Sequence, residues 1–371
     1  MNLKKYFKER LLFWHQTMNN RQLPWKGEKN VYCIWLSEII LQQTRAEQGM
    51  KYYERFLKHY PTIQHLANAP LDEVYKLWEG LGYYNRCRNL HATARKIVFE
   101  LDGKFPDTYE AILELKGIGP YTASAISSFA FELPHAVVDG NVFRVLSRFF
   151  GIEIPTDSTK GKKLFQQLAQ ECLDESHSSI YNQAIMDFGA SVCKPDQPAC
   201  ISCVFKTKCI AFNESKTEIL PVKEKQTKQR TRWFNFYIIK CNGKFAVQKR
   251  TAKDVWANLY EFPNTEYNSE KDWQANKQRV IYDWFQRNEL NRVDELKMAK
   301  QFKQQLSHQT IFARATLIQV EKSNAKTKMG WEWKSATQIK KIPFPKILND
   351  VLAEEQTELF MLNDATVKQK T

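Results

Sequence analysis

From about residue 5 to residue 212, apolar residues recur three and four positions apart, the spacing of helices that bury one face. Breaks at Tyr60-Pro61, Ala69-Pro70, Phe105-Pro106 and Leu133-Pro134 cut this stretch into short helices, since a residue before proline is driven from the helical region. The pattern predicts an all-α region. In residues 213 to 232 the apolar content almost vanishes after Val222, while Lys216, Lys223, Lys225, Lys228, Arg230 and Arg232 accumulate, which predicts a solvated basic linker. Beyond it the period becomes that of strands. Trp233 to Lys240 is rich in aromatic and β-branched residues, Asn242-Gly243 supplies a hairpin turn before Phe245-Ala246-Val247, and Ile311 to Val320 reads as another strand. A helix is expected over Asp272 to Phe285, with Trp273, Val280, Trp284 and Phe285 as its apolar positions. The expected organisation is a helical domain over 1–212, a linker over 213–232, an α+β domain over 233–350 and a mobile tail over 351–371, with no fixed-period repeat.

The length, 371 residues, suits two domains with cores of their own, and 43% hydrophobic with 26% charged residues is ordinary globular usage. No stretch approaches the roughly 18 uncharged apolar residues of a membrane span. The basic N-terminus lacks a secretory cleavage site, so a soluble, cytoplasmic protein in a reducing compartment is expected, nucleoid-associated if the source is bacterial. Lys and Arg number 55 against 41 Asp and Glu, a net charge of +14 that favours a polyanionic partner through counterion release.

Cysteine placement sharpens this picture. Cys33, Cys87, Cys172 and Cys241 are scattered and read as small buried hydrophobes. Cys193, Cys200, Cys203 and Cys209 instead cluster, with six, two and five residues between successive members, and read as a metal site. Four thiolates on a short loop can hold a [4Fe-4S] cluster or a tetrahedral zinc; the single Cys-x-x-Cys knuckle with wider outer spacings favours the iron-sulfur cube. In Leu115-Lys116-Gly117-Ile118-Gly119-Pro120-Tyr121-Thr122-Ala123, two glycines and a helix-starting proline form a hairpin. There Gly117 and Gly119 would let a DNA phosphate approach backbone amides at a helix N-terminus, although an ordinary turn between helices needs the same residues.

Taken in order, Leu23-Pro24-Trp25, the segment Trp35 to Thr44 (WLSEIILQQT), Gly80-Leu81-Gly82-Tyr83-Tyr84, the glycine hairpin, Val138-Asp139-Gly140-Asn141-Val142 and the four cysteines closely resemble the adenine DNA glycosylases of the MutY type. The hairpin, the aspartate and the cysteine loop are shared with the endonuclease III type. The resemblance implies a helix-hairpin-helix glycosylase domain with an iron-sulfur cluster and a Nudix-like C-terminal domain. It further implies a monomeric base-excision-repair enzyme that removes adenine mispaired with 8-oxoguanine or guanine in double-stranded DNA.

Glu38 shares a helical face with Ile34, Trp35, Leu41 and Gln42, where burial raises the pKa of a carboxyl and fits it to protonate a leaving base. An exposed helix glutamate is the bland alternative. Asp139 precedes Gly140-Asn141 at a helix start, where it would cap the helix and, held ionised by amides, stabilise an oxocarbenium-like sugar. The resemblance assigns the matching aspartate that role, with Asn141 as a helper. It also matches Gln42 and Tyr83 to intercalating positions, and Trp25, Lys26 and Gln183 to positions near the extruded base; Trp25 and Tyr83 could equally be core aromatics. Tyr121 stands where lyase relatives carry a Schiff-base lysine, which implies a monofunctional enzyme, and Lys116 replaces the usual proline.

In the second domain Ser307-His308 matches the loop that probes oxidised guanine, with Leu306 in place of phenylalanine. Residues 250 to 300 lack the paired glutamates of a Nudix hydrolase, so binding is the expected role there. A bifunctional glycosylase-lyase and a noncatalytic iron-sulfur sensor are the competing readings.

Overall fold

Side-chain oxygens begin several of the helices. Asn2 accepts from Lys4 N, Asn30 from Tyr32 N, Thr108 from Ala111 N, Asp139 from Val142 N and Ser158 from Gly161 N, each satisfying an amide that the first helical turn leaves unpaired. The computed structural model describes residues 2–224, 229–251, 254–275, 295–320 and 331–354. In chain order the helices are α1 (Leu3–Thr17), α2 (Val31–Leu41), α3 (Ala46–His59), α4 (Ile63–Asn68), α5 (Leu71–Trp78), α6 (Tyr84–Glu100), α7 (Tyr109–Leu113), α8 (Pro120–Phe131), α9 (Gly140–Phe150), α10 (Thr159–Cys172), α11 (Ser178–Ser191) and α12 (Ile210–Asn213). Two compact units result: residues 1–68 with 89–226, and residues 69–88 with 227–371.

In the first unit, α1, α9, α10 and α11 enclose a core of Phe7, Leu11, Trp14, Val145, Leu146, Phe149, Phe165, Tyr181 and Phe188. Phe205 from the cysteine loop stacks on Phe7 at 4.7 Å between ring centroids, tying that loop to the core. Helix α2 is buried from Tyr32 through Ile40 and packs on α8, whose Ala123, Ser124, Ala125, Ser127 and Ser128 are small enough for close approach. The expected hairpin joins α7 to α8. Gly117 there adopts φ +84°, and Gly119 is the N-cap of α8 with Pro120 in its first turn.

The first half of the expected linker is packed on this unit. Leu220 is buried and its carbonyl accepts from Arg148 Nε at 2.9 Å, Thr156 N donates to Val222 O at 3.0 Å, and Glu224 N donates to Asp157 Oδ1 at 2.9 Å. A single apolar anchor and carbonyls that meet buried donors hold the segment despite its basic composition.

The second unit contains β1 (Arg230–Cys241), β2 (Lys244–Lys249), β3 (Tyr260–Glu261), β4 (Asn264–Tyr267), α13 (Glu270–Ala275), β5 (Glu295–Gln305), β6 (Gln309–Val320), β7 (Glu332–Ser335), α14 (Ala336–Ile339) and α15 (Lys346–Glu354). The strand order is β3-β2-β1-β6-β5, with β4 on β1 and β7 on β2. Strands β1 and β6 pair in parallel from Arg230 opposite Gln309 to Cys241 opposite Val320. The expected hairpin joins β1 to β2, with Asn242 and Gly243 both at positive φ, the geometry that Asn-Gly favours. Trp273 of α13 is buried and donates from Nε1 to Asn235 Oδ1 at 2.9 Å, while the Arg314 guanidinium lies 3.6 Å from its ring. The rest of the helix expected through Phe285, with Val280 and Trp284, lies outside the described residues, as does the tail beyond Glu354.

Residues 69–88 group with this sheet rather than with the helices that flank them in sequence. Lys249 pairs with Asp72 at 2.6 Å, and Glu79 Oε1 accepts from Phe344 N at 2.8 Å. The scattered Cys33, Cys87, Cys172 and Cys241 are buried, as expected.

Candidate active site and cysteine loop

In the first unit, α2, α8, α9 and α11 wall a cavity of about 640 Å³ lined by Trp25, Lys26, Glu38, Tyr121, Asp139, Asn141 and Gln183. Glu38, from the middle of apolar α2, is buried at 6% exposure, and burial pushes its carboxyl up to about 7. A hydrogen bond from the Tyr121 hydroxyl opposes that rise, and the facing Asp139 charge adds to it. Burial also raises Asp139, against the pull of its donors: Val142 N at 2.8 Å and Asn141 Nδ2 at 2.8 Å, with the Arg144 charge behind them. Two carboxylates thus face one cavity in unlike surroundings, one in apolar packing and one in a cage of donors.

Arg144 fixes Asn141 from the other side, donating to its Oδ1 at 2.8 Å and also to Gly189 O at 2.8 Å and Cys193 O at 2.7 Å. Gly189 on α11 has no room for a side chain, since a Cβ there would stand 2.7 Å from Asn141 Cβ. Sequence reading missed Arg144 although it lies one turn beyond Asn141. The same reading missed Asp187, one turn beyond Gln183 and fully buried, which receives Arg21, Lys26, Asn19 and Gln183. Spacing by three and four on a helix was the available signal for both.

Trp25 packs edge-on against Tyr53 at 5.6 Å, so it is both cavity wall and core contact. Gln42 follows α2 as its C-cap and donates to Thr122 Oγ1 at 3.1 Å, outside the cavity lining. At the hairpin, a Cβ on Gly117 would meet the Asn89 side chain at 2.7 Å, whereas Gly119 has open space around it.

In the second unit, Tyr83, at φ +49° and 37% exposed, places its hydroxyl 2.5 Å from Ser307 Oγ, which lies 3.2 Å from His308 Nδ1. The β5–β6 turn thereby brings together three of the residues singled out in the sequence.

Cys193, Cys200, Cys203 and Cys209 line one small apolar cavity with Val145, Phe149 and Phe188. Arg148 Nη1 approaches Cys193 Sγ at 3.6 Å, and Phe205 N donates to Cys203 Sγ at 3.4 Å. Among the described residues no three His, Cys, Asp or Glu side chains are gathered tightly enough to hold a metal ion. Four soft sulfur donors around a common apolar space, with N–H groups aimed at two of them, nevertheless fit an iron-sulfur cube.

Residues 36–183 match the model of the HhH-GPD superfamily of base excision DNA repair proteins, and residues 235–354 match a NUDIX domain. The class is therefore a helix-hairpin-helix DNA glycosylase carrying a Nudix-like domain. An adenine DNA glycosylase of Buchnera aphidicola (subspecies Schizaphis graminum) is 32% identical over 350 residues, spanning 93% of this chain and 97% of that one. The chain belongs to the adenine DNA glycosylase family and is a base-excision-repair glycosylase. A solved thermostable thymine-DNA glycosylase superposes with a TM-score of 0.53 at 29% identity, covering 57% of this chain and 97% of its own. An endonuclease III in a non-covalent DNA complex has the same fold, with a TM-score of 0.50 at 21% identity, covering 58% of this chain and 99% of its own. No described helix is long and apolar enough to cross a membrane.

Proposed function

We propose that this chain excises adenine mispaired with 8-oxoguanine or guanine from double-stranded DNA, acting as a monofunctional monomer. The observation that carries the reading is the pair of buried carboxyls, Glu38 and Asp139, facing one cavity, the first in apolar packing and the second held by hydrogen-bond donors. A carboxyl held near 7 keeps enough of its proton at neutral pH to give it to a ring nitrogen of an extruded adenine, so that the glycosidic electron pair leaves on a neutral base. The sugar cation then forms next to Asp139, which Val142 N–H and Asn141 hold in place. Water adds to the cation and returns a proton to Glu38. Trp25, Lys26 and Gln183 would receive the base, while Gln42 and Tyr83 would fill the gap left in the duplex. Gly117 and Gly119 would seat the phosphate backbone, and Ser307 and His308 would contact the oxidised guanine.

Cys193, Cys200, Cys203 and Cys209 would hold a [4Fe-4S] cluster, which when bound crosslinks the loop covalently. Purified protein should be brown, with about four irons per chain; stoichiometric zinc without iron after anaerobic purification would contradict this.

The monofunctional reading rests on Tyr121, whose phenol hydrogen-bonds Glu38 and cannot form an imine. Strand cleavage of an A:8-oxoguanine duplex should appear only after alkali is added. Borohydride trapping that disappears in Lys116→Ala would instead show a lyase.

A further inference from the structure

Gln183 and Asp187 stand one turn apart on α11 and share a face. Asp187 is fully buried and accepts from four side chains. Its Oδ1 receives Arg21 Nη1 at 2.9 Å and Gln183 Nε2 at 3.1 Å, and its Oδ2 receives Asn19 Nδ2 at 2.9 Å and Lys26 Nζ at 3.2 Å. Arg21, Lys26 and Gln183 line the cavity, whereas Asp187 does not. A carboxylate only accepts hydrogen bonds, while a primary amide donates at one end and accepts at the other. One N–H of the Gln183 amide is taken by Asp187 Oδ1, which fixes the orientation of the amide and of Oε1, its one acceptor.

We propose that Asp187 is a positioning residue that locks the Gln183 amide with Oε1 toward the cavity, so that the pocket selects a base presenting an exocyclic amine over one presenting a carbonyl. The inference rests on the adenine-release reading and adds to it the origin of base choice. Two acceptors brought face to face leave a buried polar group unpaired, the kind of mismatch that separates substrates most strongly. The two flanking cations do a second job here, since they balance the buried charge that the orienting group must carry.

The test measures single-turnover release of adenine and of hypoxanthine from otherwise identical duplexes, by the wild type, Asp187→Asn, Gln183→Ala and the double variant. The ratio of the two rates cancels any general loss of stability or binding. Asp187→Asn should lower the adenine-to-hypoxanthine ratio by about tenfold or more, because an amide at 187 can accept or donate and frees Gln183 to turn. In the Gln183→Ala background the same substitution should leave the ratio unchanged. An equal slowing of both bases by Asp187→Asn, or the same ratio change in both backgrounds, would overturn the proposal. Should Asp187→Asn fail to fold, Gln183→Met keeps the length without the amide: a collapsed ratio supports the proposal and an unchanged one overturns it. Wild-type protein that releases no adenine would overturn the underlying reading together with the proposal.

Discussion

Glu38 shows how much one position on an apolar helix determines. Because burial moves its carboxyl from 4.5 to about 7, the folded protein holds a proton that the unfolded chain has already released between those values. The stability tied to that proton is fully present below about pH 4.5 and is lost as pH rises to about 7, a loss on the order of 3 kcal/mol. Glu38→Gln should therefore melt higher than the wild type at pH 8 and lose that advantage at pH 4.5. The same substitution removes the transferable proton, so adenine release should fall by about 10²- to 10⁴-fold with duplex binding retained. In the wild type the single-turnover rate should drop as pH rises through about 7. Melting curves and a pH series of single-turnover rates check both expectations. Glu38 was legible because the segment Trp35 to Thr44 carries the family resemblance, with Ile34, Trp35 and Leu41 on its helical face pointing to burial. Asp187 was not, for its meaning depends on Asn19 and Arg21, more than 160 residues away in sequence, and nothing local marks it as buried.

At the scale of elements, the helices and the first β hairpin followed from periodicity and turn chemistry, since capping side chains and Asn242-Gly243 act within a few residues. The parallel pairing of β1 with β6 did not, because its partners lie about eighty positions apart and carry no register signal of their own. The docking of residues 69–88 on the second unit was equally hidden, since its ion pair and amide contact come from residues 249 and 344. The glycine hairpin was read correctly as a turn, and its two glycines now separate. Gly117→Ala should destabilise by about 2 kcal/mol, because it combines positive φ with a clash on Asn89, whereas Gly119→Ala should cost less. Denaturant midpoints measure the difference, and equal costs at the two positions would contradict the conformation assigned to Gly117.

For the whole molecule, the two units divide the chemistry: the paired carboxyls belong to the first, and Tyr83, Ser307 and His308 belong to the second. A net charge of +14 serves both through the shared phosphate backbone, so it strengthens binding without choosing a base. On the function proposed above, choice of the opposite base falls to the Ser307 and His308 turn, where Leu306 offers less stacking surface than an aromatic ring. The most direct measurement is single-turnover adenine release from duplexes with A opposite 8-oxoguanine, G, C or T, run with the wild type, Ser307→Ala and Glu38→Gln. Release opposite 8-oxoguanine and G should exceed release opposite C and T. The gap between 8-oxoguanine and G should narrow in Ser307→Ala, and Glu38→Gln should lose nearly all release. Near wild-type release by Glu38→Gln would contradict the acid role of Glu38.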